Sequence, residues 1–258
     1  MGTGKQNTQP YYTHNVWTQQ IPNDQWSVYQ SVIGAARVRG LRFALGGAFA
    51  VATYTGRWRN TKDLDIYVEP EGREAMIEVL TLSGLQDYYE KLPYNRNWIY
   101  RAYRDEIIVD IIWAMANKPT QVDEIWLARG PQIEVRGVDL RIVPPEELIW
   151  AKLYVLQKDR CDWPDILNLV YILGETLKWG HLLDRLDQDA PLLSALLSVF
   201  AWLSPQRAWE LPEWLWERLH LQQPQLVSFP EETLRQRVSL LDSRSWFVPV
   251  IPPDQEPF

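Results

Sequence analysis

The sequence is short of cysteine, histidine and positive charge, and each shortage removes a class of function. Cys161 is the single cysteine in 258 residues, so no intrachain disulfide and no multi-cysteine metal site can form. The three histidines, His14, His181 and His220, lie far apart and offer no zinc-type spacing. No apolar run approaches the ~20 residues that a membrane span requires, and residues 1–22 are polar, without the apolar stretch of a signal peptide. A cytoplasmic protein with no membrane partner is expected. Lys and Arg number 26 against 33 Asp and Glu, a formal net charge of −7. That balance disfavours a large RNA partner, because nucleic-acid affinity draws on many basic contacts to phosphate.

Hydrophobic residues make up 46% of the chain, enough for one domain of ordinary size and a smaller appended one. Residues 1–22 read as a loose arm. Asn23-Asp24 can cap a helix to about Val38, with Trp26, Tyr29, Ile33 and Ala36 on one face. A short strand at 42–45 is broken by Gly46-Gly47, and a helix follows over 48–54. Residues 64–68 alternate as a strand, and 71–83 form an amphipathic helix. Segments 87–92, 98–103 and 106–113 favour β-structure, and 133–135 with 138–143 form a hairpin around Arg136-Gly137. After Pro144-Pro145 the pattern turns helical, over 146–158, 163–173, 179–186, 191–203 and 212–219. The expected fold is therefore α/β, a mixed sheet flanked by helices over 23–143. A helical domain over 144–222 and an irregular tail over 223–258 follow. The helical half holds many of the 14 tryptophans, among them Trp150, Trp163, Trp179, Trp202, Trp209, Trp214 and Trp216. Their ordinary role is apolar core; a surface for a protein partner or an acceptor is the alternative.

Gly46-Gly47 stands between a strand and a helix, where a backbone free of Cβ can approach a ligand and helix N–H groups can meet an anion. Alone, such a pair is most often just a tight turn. Asp63 and Asp65 are two apart on a strand and point to the same side. Two converging carboxylates repel, and a divalent cation such as Mg²⁺ resolves the repulsion. Asp110 discriminates between a surface pair and a site. It interrupts Ile107-Ile-Val-Asp-Ile-Ile-Trp113, and a carboxylate in so apolar a strand is costly unless paired or bound to metal.

Phe43-Ala-Leu-Gly-Gly-Ala-Phe-Ala-Val51, followed by Gly56-Arg-Trp-Arg-Asn-Thr-Lys-Asp-Leu-Asp-Ile66, resembles the first motif of the polymerase-β-like nucleotidyltransferase superfamily. Ile108-Val-Asp110-Ile-Ile resembles the strand of its third carboxylate. The Arg59, Thr61, Asp63, Asp65 form is similar to small prokaryotic members grouped with abortive-infection toxins. Segments 145–152 and 158–165 resemble their later Lys helix and charged cluster.

The resemblance implies roles. Gly46 and Gly47 would lie against the phosphates of a nucleoside triphosphate. Asp63, Asp65 and Asp110 would form the catalytic set and hold two Mg²⁺ ions, with Asp110 also helping to deprotonate the acceptor hydroxyl. Lys152 would neutralise phosphate charge; Arg59 would either do likewise or form a surface ion pair. Arg160 would either reach the triphosphate or pair with an acid. Asp162 precedes Trp163-Pro164 and reads as a helix cap; Thr61 reads as a turn residue and His181 as structural. The expected reaction moves a nucleoside monophosphate to a tRNA end, a protein hydroxyl or a small molecule, in one version as the toxin of a toxin–antitoxin pair. The alternative is a protein that keeps the fold and binds nucleotide or a partner without turnover.

Overall fold

A computed structural model describes residues 15–241, apart from 118, 119, 159, 227 and 228. His14, Asp159 and the tail beyond 241 lie outside the described residues. The first helix, α1 (Asn23–Val38), buries Trp26, Tyr29, Val32, Ile33 and Ala36 at helical spacing. It starts from Pro22 with no side-chain cap, so Asn23-Asp24 sits in the first turn instead of capping it.

Two short segments then set the geometry of the cleft. Strand β1 (Ala44–Leu45) runs into α2 (Gly47–Thr55), which ends on Gly56 in the left-handed conformation, its N–H on the Ala52 carbonyl. Strand β2 (Asp63–Tyr67) hides Leu64 and Ile66 on one side and leaves Asp63 and Asp65 partly open on the other. Helix α3 (Arg73–Leu82) leads to β3 (Gln86–Asp87), β4 (Ile99–Arg104) and β5 (Ile107–Ile112). The five strands order as β1-β2-β5-β4-β3, with β2 and β5 parallel and the other pairs antiparallel. Strand β5 is internal, which accounts for its apolar composition. The strand expected over 87–92 stops at Asp87, whose carboxylate accepts the Tyr89 N–H at 2.9 Å and turns the chain into a 3-10 turn.

A short helix, α4 (Glu124–Ala128), was not visible in the sequence pattern; Asp123 caps it, accepting the Ile125 N–H at 3.0 Å. The hairpin β6 (Gln132–Val135) and β7 (Val138–Arg141) turns on Arg136 and Gly137, with φ of 49° and 79°. Helix α5 (Pro145–Leu153) is shorter than expected, and α6 (Trp163–Leu173) follows; both pack on α2. Tyr54 of α2 donates its hydroxyl to the Val143 carbonyl at 2.7 Å. Then come α7 (Trp179–Leu186), α8 (Ala190–Leu203), α9 (Pro205–Trp209), α10 (Glu213–Arg218) and α11 (Glu231–Leu241). Among the described residues no helix is long and apolar enough to cross a membrane.

Two expectations about the ends need correction. Residues 15–22 are not a loose arm. Trp17 is 1% exposed, stacked on Trp58 at 5.3 Å and edge-on to Phe49 at 5.7 Å. The Arg136 guanidinium donates to the Thr18 carbonyl and to Asn23 Oδ1, fastening the segment to the hairpin. Within the tail, expected to be irregular from 223, residues Glu231–Leu241 form α11.

Candidate active site

Asp65 and Asp110 are register partners across the parallel β2–β5 pair, so their side chains share one face of the sheet. Both line a cleft that takes in the start of α2 at Gly47, beside Asp65, and whose far wall comes from α5 and the segment after it. Asp63 lies two residues earlier on the same face, partly exposed, and its charge is felt by both other acids.

The two glycines are there for closeness. Gly47 has φ of 51°, and a Cβ on it would stand 1.6 Å from Asp65 Oδ2. A Cβ on Gly46 would stand 2.2 Å from Tyr67 Cε2. No other residue lets α2 begin this near to β2. The Gly46 N–H donates to the Asp65 carbonyl at 3.0 Å and fixes the approach.

Crowding of charge shows in the acids. Burial, then the neighbouring Asp110 and Asp63 charges, push the Asp65 carboxyl up to about 7. Burial also raises Asp110, which is 2% exposed, against the opposing pull of a guanidinium. That guanidinium belongs to Arg101, the cross-strand partner of Asp110 on β4. Its Nε donates to Asp110 Oδ1 at 2.8 Å and its Nη2 to Oδ2 at 2.6 Å, a two-pronged ion pair. The hydrogen bonds to Asp110 hold Arg101 well above its ordinary value.

Asp63 and Asp65 have no side-chain hydrogen bond or ion pair among the described residues, whereas both Asp110 oxygens are engaged. The Asp63 and Asp65 carboxylates are therefore the ones left open to a cation. Among the described residues no three His, Cys, Asp or Glu side chains converge to hold a metal together. Of the three expected carboxylates, Asp110 carries an arginine fork on both of its oxygens.

The expected phosphate cations are placed unevenly. Lys152 lines the cleft but is buried, donating to Asp162 at 2.8 Å and to Asp165 at 2.9 Å. Arg160 pairs with the same Asp162 at 3.1 Å through a side chain 61% exposed, so it stands at the mouth. Asp162 occupies the first position before α6 yet makes no cap hydrogen bond, because its carboxylate is spent on Lys152 and Arg160. The capping reading is corrected accordingly. Arg59 is exposed and does not line the cleft; nor do Asp63, which stands beside it on the same strand as Asp65, and Gly46, which acts through the turn. Thr61 Oγ1 accepts the Asp63 N–H at 3.3 Å, a turn contact as read. His181 Nε2 lies 2.6 Å from Glu147 Oε1 in a separate pocket.

Sequence reasoning missed Arg101 and the aromatic and apolar wall of Tyr94, Trp98, Ile99 and Met115. One signal was available. The tight turn at Asp105, with φ of 56°, sets Arg104 opposite Ile107 and hence Arg101 opposite Asp110.

A glycine turn thus stands against paired acids on a mixed sheet, with a third acid in register on the next strand. A family model described as "uncharacterised nucleotidyltransferase" matches residues 43–203, and the chain belongs to that family. Activity as a nucleotidyltransferase follows from the membership. No curated protein matches. Among solved structures, the antibiotic-resistance factor ANT(2'')-Ia is 20% identical with a TM-score of 0.45, over 70% of this chain and 96% of that one. A lincosamide antibiotic adenylyltransferase, LnuA, is 16% identical with a TM-score of 0.42, over 59% and 98%. JHP933 from Helicobacter pylori is 13% identical with a TM-score of 0.38, over 86% and 98%.

Proposed function

We propose that the cleft binds a Mg²⁺–nucleoside triphosphate and passes its nucleoside monophosphate to an acceptor hydroxyl, releasing pyrophosphate. The observation that carries the reading is the register of Asp65 and Asp110 beside Gly47 in one cleft. Asp63 and Asp65 are the residues to hold Mg²⁺, which when bound shields the triphosphate and polarises the reacting phosphate. Gly46 and Gly47 let the phosphates approach the start of α2, where helix N–H groups favour an anion. Asp110, oriented by Arg101, is the carboxylate to take the acceptor's proton as its oxygen attacks the α-phosphate. Arg160 stands where it would meet the triphosphate tail. Lys152 acts at one remove, holding Asp162 and through it Arg160.

The acceptor would lie along Tyr94, Trp98 and Met115. It would be a small hydroxylated molecule, or the end of a tRNA or a protein side chain reaching in. A toxin would modify one of the two macromolecules. Radiolabelled triphosphates incubated with the protein, Mg²⁺ and cell extract will show label on one of these classes, separable by size. Asp65→Ala should abolish labelling by at least ~100-fold while the protein stays folded. Label that persists in Asp65→Ala would remove Asp65 from the chemistry.

A further inference from the structure

We propose that Arg101 is the built-in counter-cation of this centre, so that the cleft takes one divalent ion, on Asp63 and Asp65, where two carboxylate-bound ions would otherwise be expected. The inference rests on the reading of the cleft as the triphosphate site and deepens it.

Three observations converge. Both oxygens of Asp110 are engaged by one guanidinium, at 2.8 and 2.6 Å. Arginine stays charged under all ordinary conditions, so the Asp110 side of the cleft is permanently occupied by positive charge. A dication placed against Asp110 would have to displace that fork or lie beside it. Arg101 is also poorly placed to leave. Its position opposite Asp110 is set by the β4–β5 register, and the Tyr94 hydroxyl grips its backbone on both sides, accepting its N–H at 2.8 Å and donating to its carbonyl at 3.3 Å. The Tyr88 ring stands 5.8 Å from the guanidinium carbon, and the side chain is only 26% exposed. Arg101 is thus a positioning residue for Asp110: its two-pronged contact keeps the carboxylate aimed, a task otherwise left to a second ion.

The test counts ions directly. The full-length protein is saturated with a non-hydrolysable triphosphate analogue, titrated with Mn²⁺ and followed by electron paramagnetic resonance, with analogue binding measured by calorimetry. The wild type should bind one Mn²⁺ per chain–analogue complex. Arg101→Met, which frees Asp110, should bind two, and Arg101→Lys should return to one. Two ions in the wild type would overturn the assignment, as would one ion in a folded Arg101→Met. If Arg101→Met fails to fold, the wild-type count decides alone. Failure of the wild type to bind either the analogue or Mn²⁺ would overturn the reading of the cleft as well, which two ions would not.

Discussion

Asp65 sits where backbone geometry, neighbouring charge and burial all meet, and it carries the electrostatic cost of the cleft. Its carboxyl is pushed from 3.8 up to about 7 by burial and by two neighbouring carboxylates. Below about pH 4 it is protonated in folded and unfolded chains alike. Between there and about pH 7 the unfolded chain ionises while the folded one holds its proton, so stability falls as pH rises. Asp65→Asn removes this loss. It should match the wild type at pH 4 and exceed it at pH 8 by on the order of 2–4 kcal/mol, read from urea denaturation at the two pH values. Mg²⁺ binding to the folded chain should raise the wild-type melting temperature at pH 8 and leave Asp65→Asn unmoved. Equal stability of the two proteins at pH 8 would show that Asp65 is not under strain. The residue was legible in the sequence because a two-residue spacing on a strand is a local property. So was Asp110, since a carboxylate in an apolar strand is conspicuous. Arg101 was not: it reads as one more charged residue until the register is known, and register is settled by a turn geometry several residues away.

The far wall of the cleft, α5 and the segment after it, is joined to α6 by a buried cation. Lys152 is 8% exposed between Asp162 and Asp165, at 11% and 7%. A buried ion pair contributes little net stability, but breaking one is expensive because a charge is left without compensation. Lys152→Met should therefore cost about 3–5 kcal/mol, with Arg160 offsetting part of it through Asp162. Urea denaturation should show a lower midpoint at unchanged slope. Adding Asp162→Asn and Asp165→Asn should restore most of the loss; a single-variant cost under ~1 kcal/mol would mean that water reaches the cluster. This cluster also explains why local sequence rules misread Asp162. Aspartate before Trp163-Pro164 has the form of a cap, but a cap is worth only ~1 kcal/mol. A buried ammonium competes for the same oxygen with more at stake. The helix length erred in a related way. Apolar periodicity continues past Leu153, yet the chain leaves α5 at Tyr154 and folds back, with Leu156 bridging Cys161. That return brings Arg160 and Asp162 to the cleft.

At the scale of the whole molecule, the change of composition at Pro144-Pro145 suggested a border between an α/β domain and a helical one. The packing argues for a single cooperative unit. Helix α2 has Ala50, Ala52 and Tyr54 at 0%, 0% and 1% exposure, and α5 and α6 supply part of its cover. The Val143 N–H donates to the Leu45 carbonyl at 2.9 Å, so the segment leading into the helical half runs beside β1. The cleft likewise draws on both halves, Asp65 and Asp110 from one and Lys152, Arg160 and Asp162 from the other. Residues 15–22 add Trp17 to the same core from the opposite end of the chain. A fragment of residues 23–143 would expose the outer side of α2 and lose the stack of Trp17 on Trp58. Apolar surface of that size left in water favours a compact state without fixed packing. The full chain should melt in one calorimetric transition whose measured and van't Hoff enthalpies agree. The 23–143 fragment should bind a hydrophobic dye, lack near-ultraviolet dichroism and melt without a sharp transition. Two resolved peaks in the full chain, or a fragment that unfolds cooperatively, would make position 143 a true domain border and the cleft an interdomain site able to open.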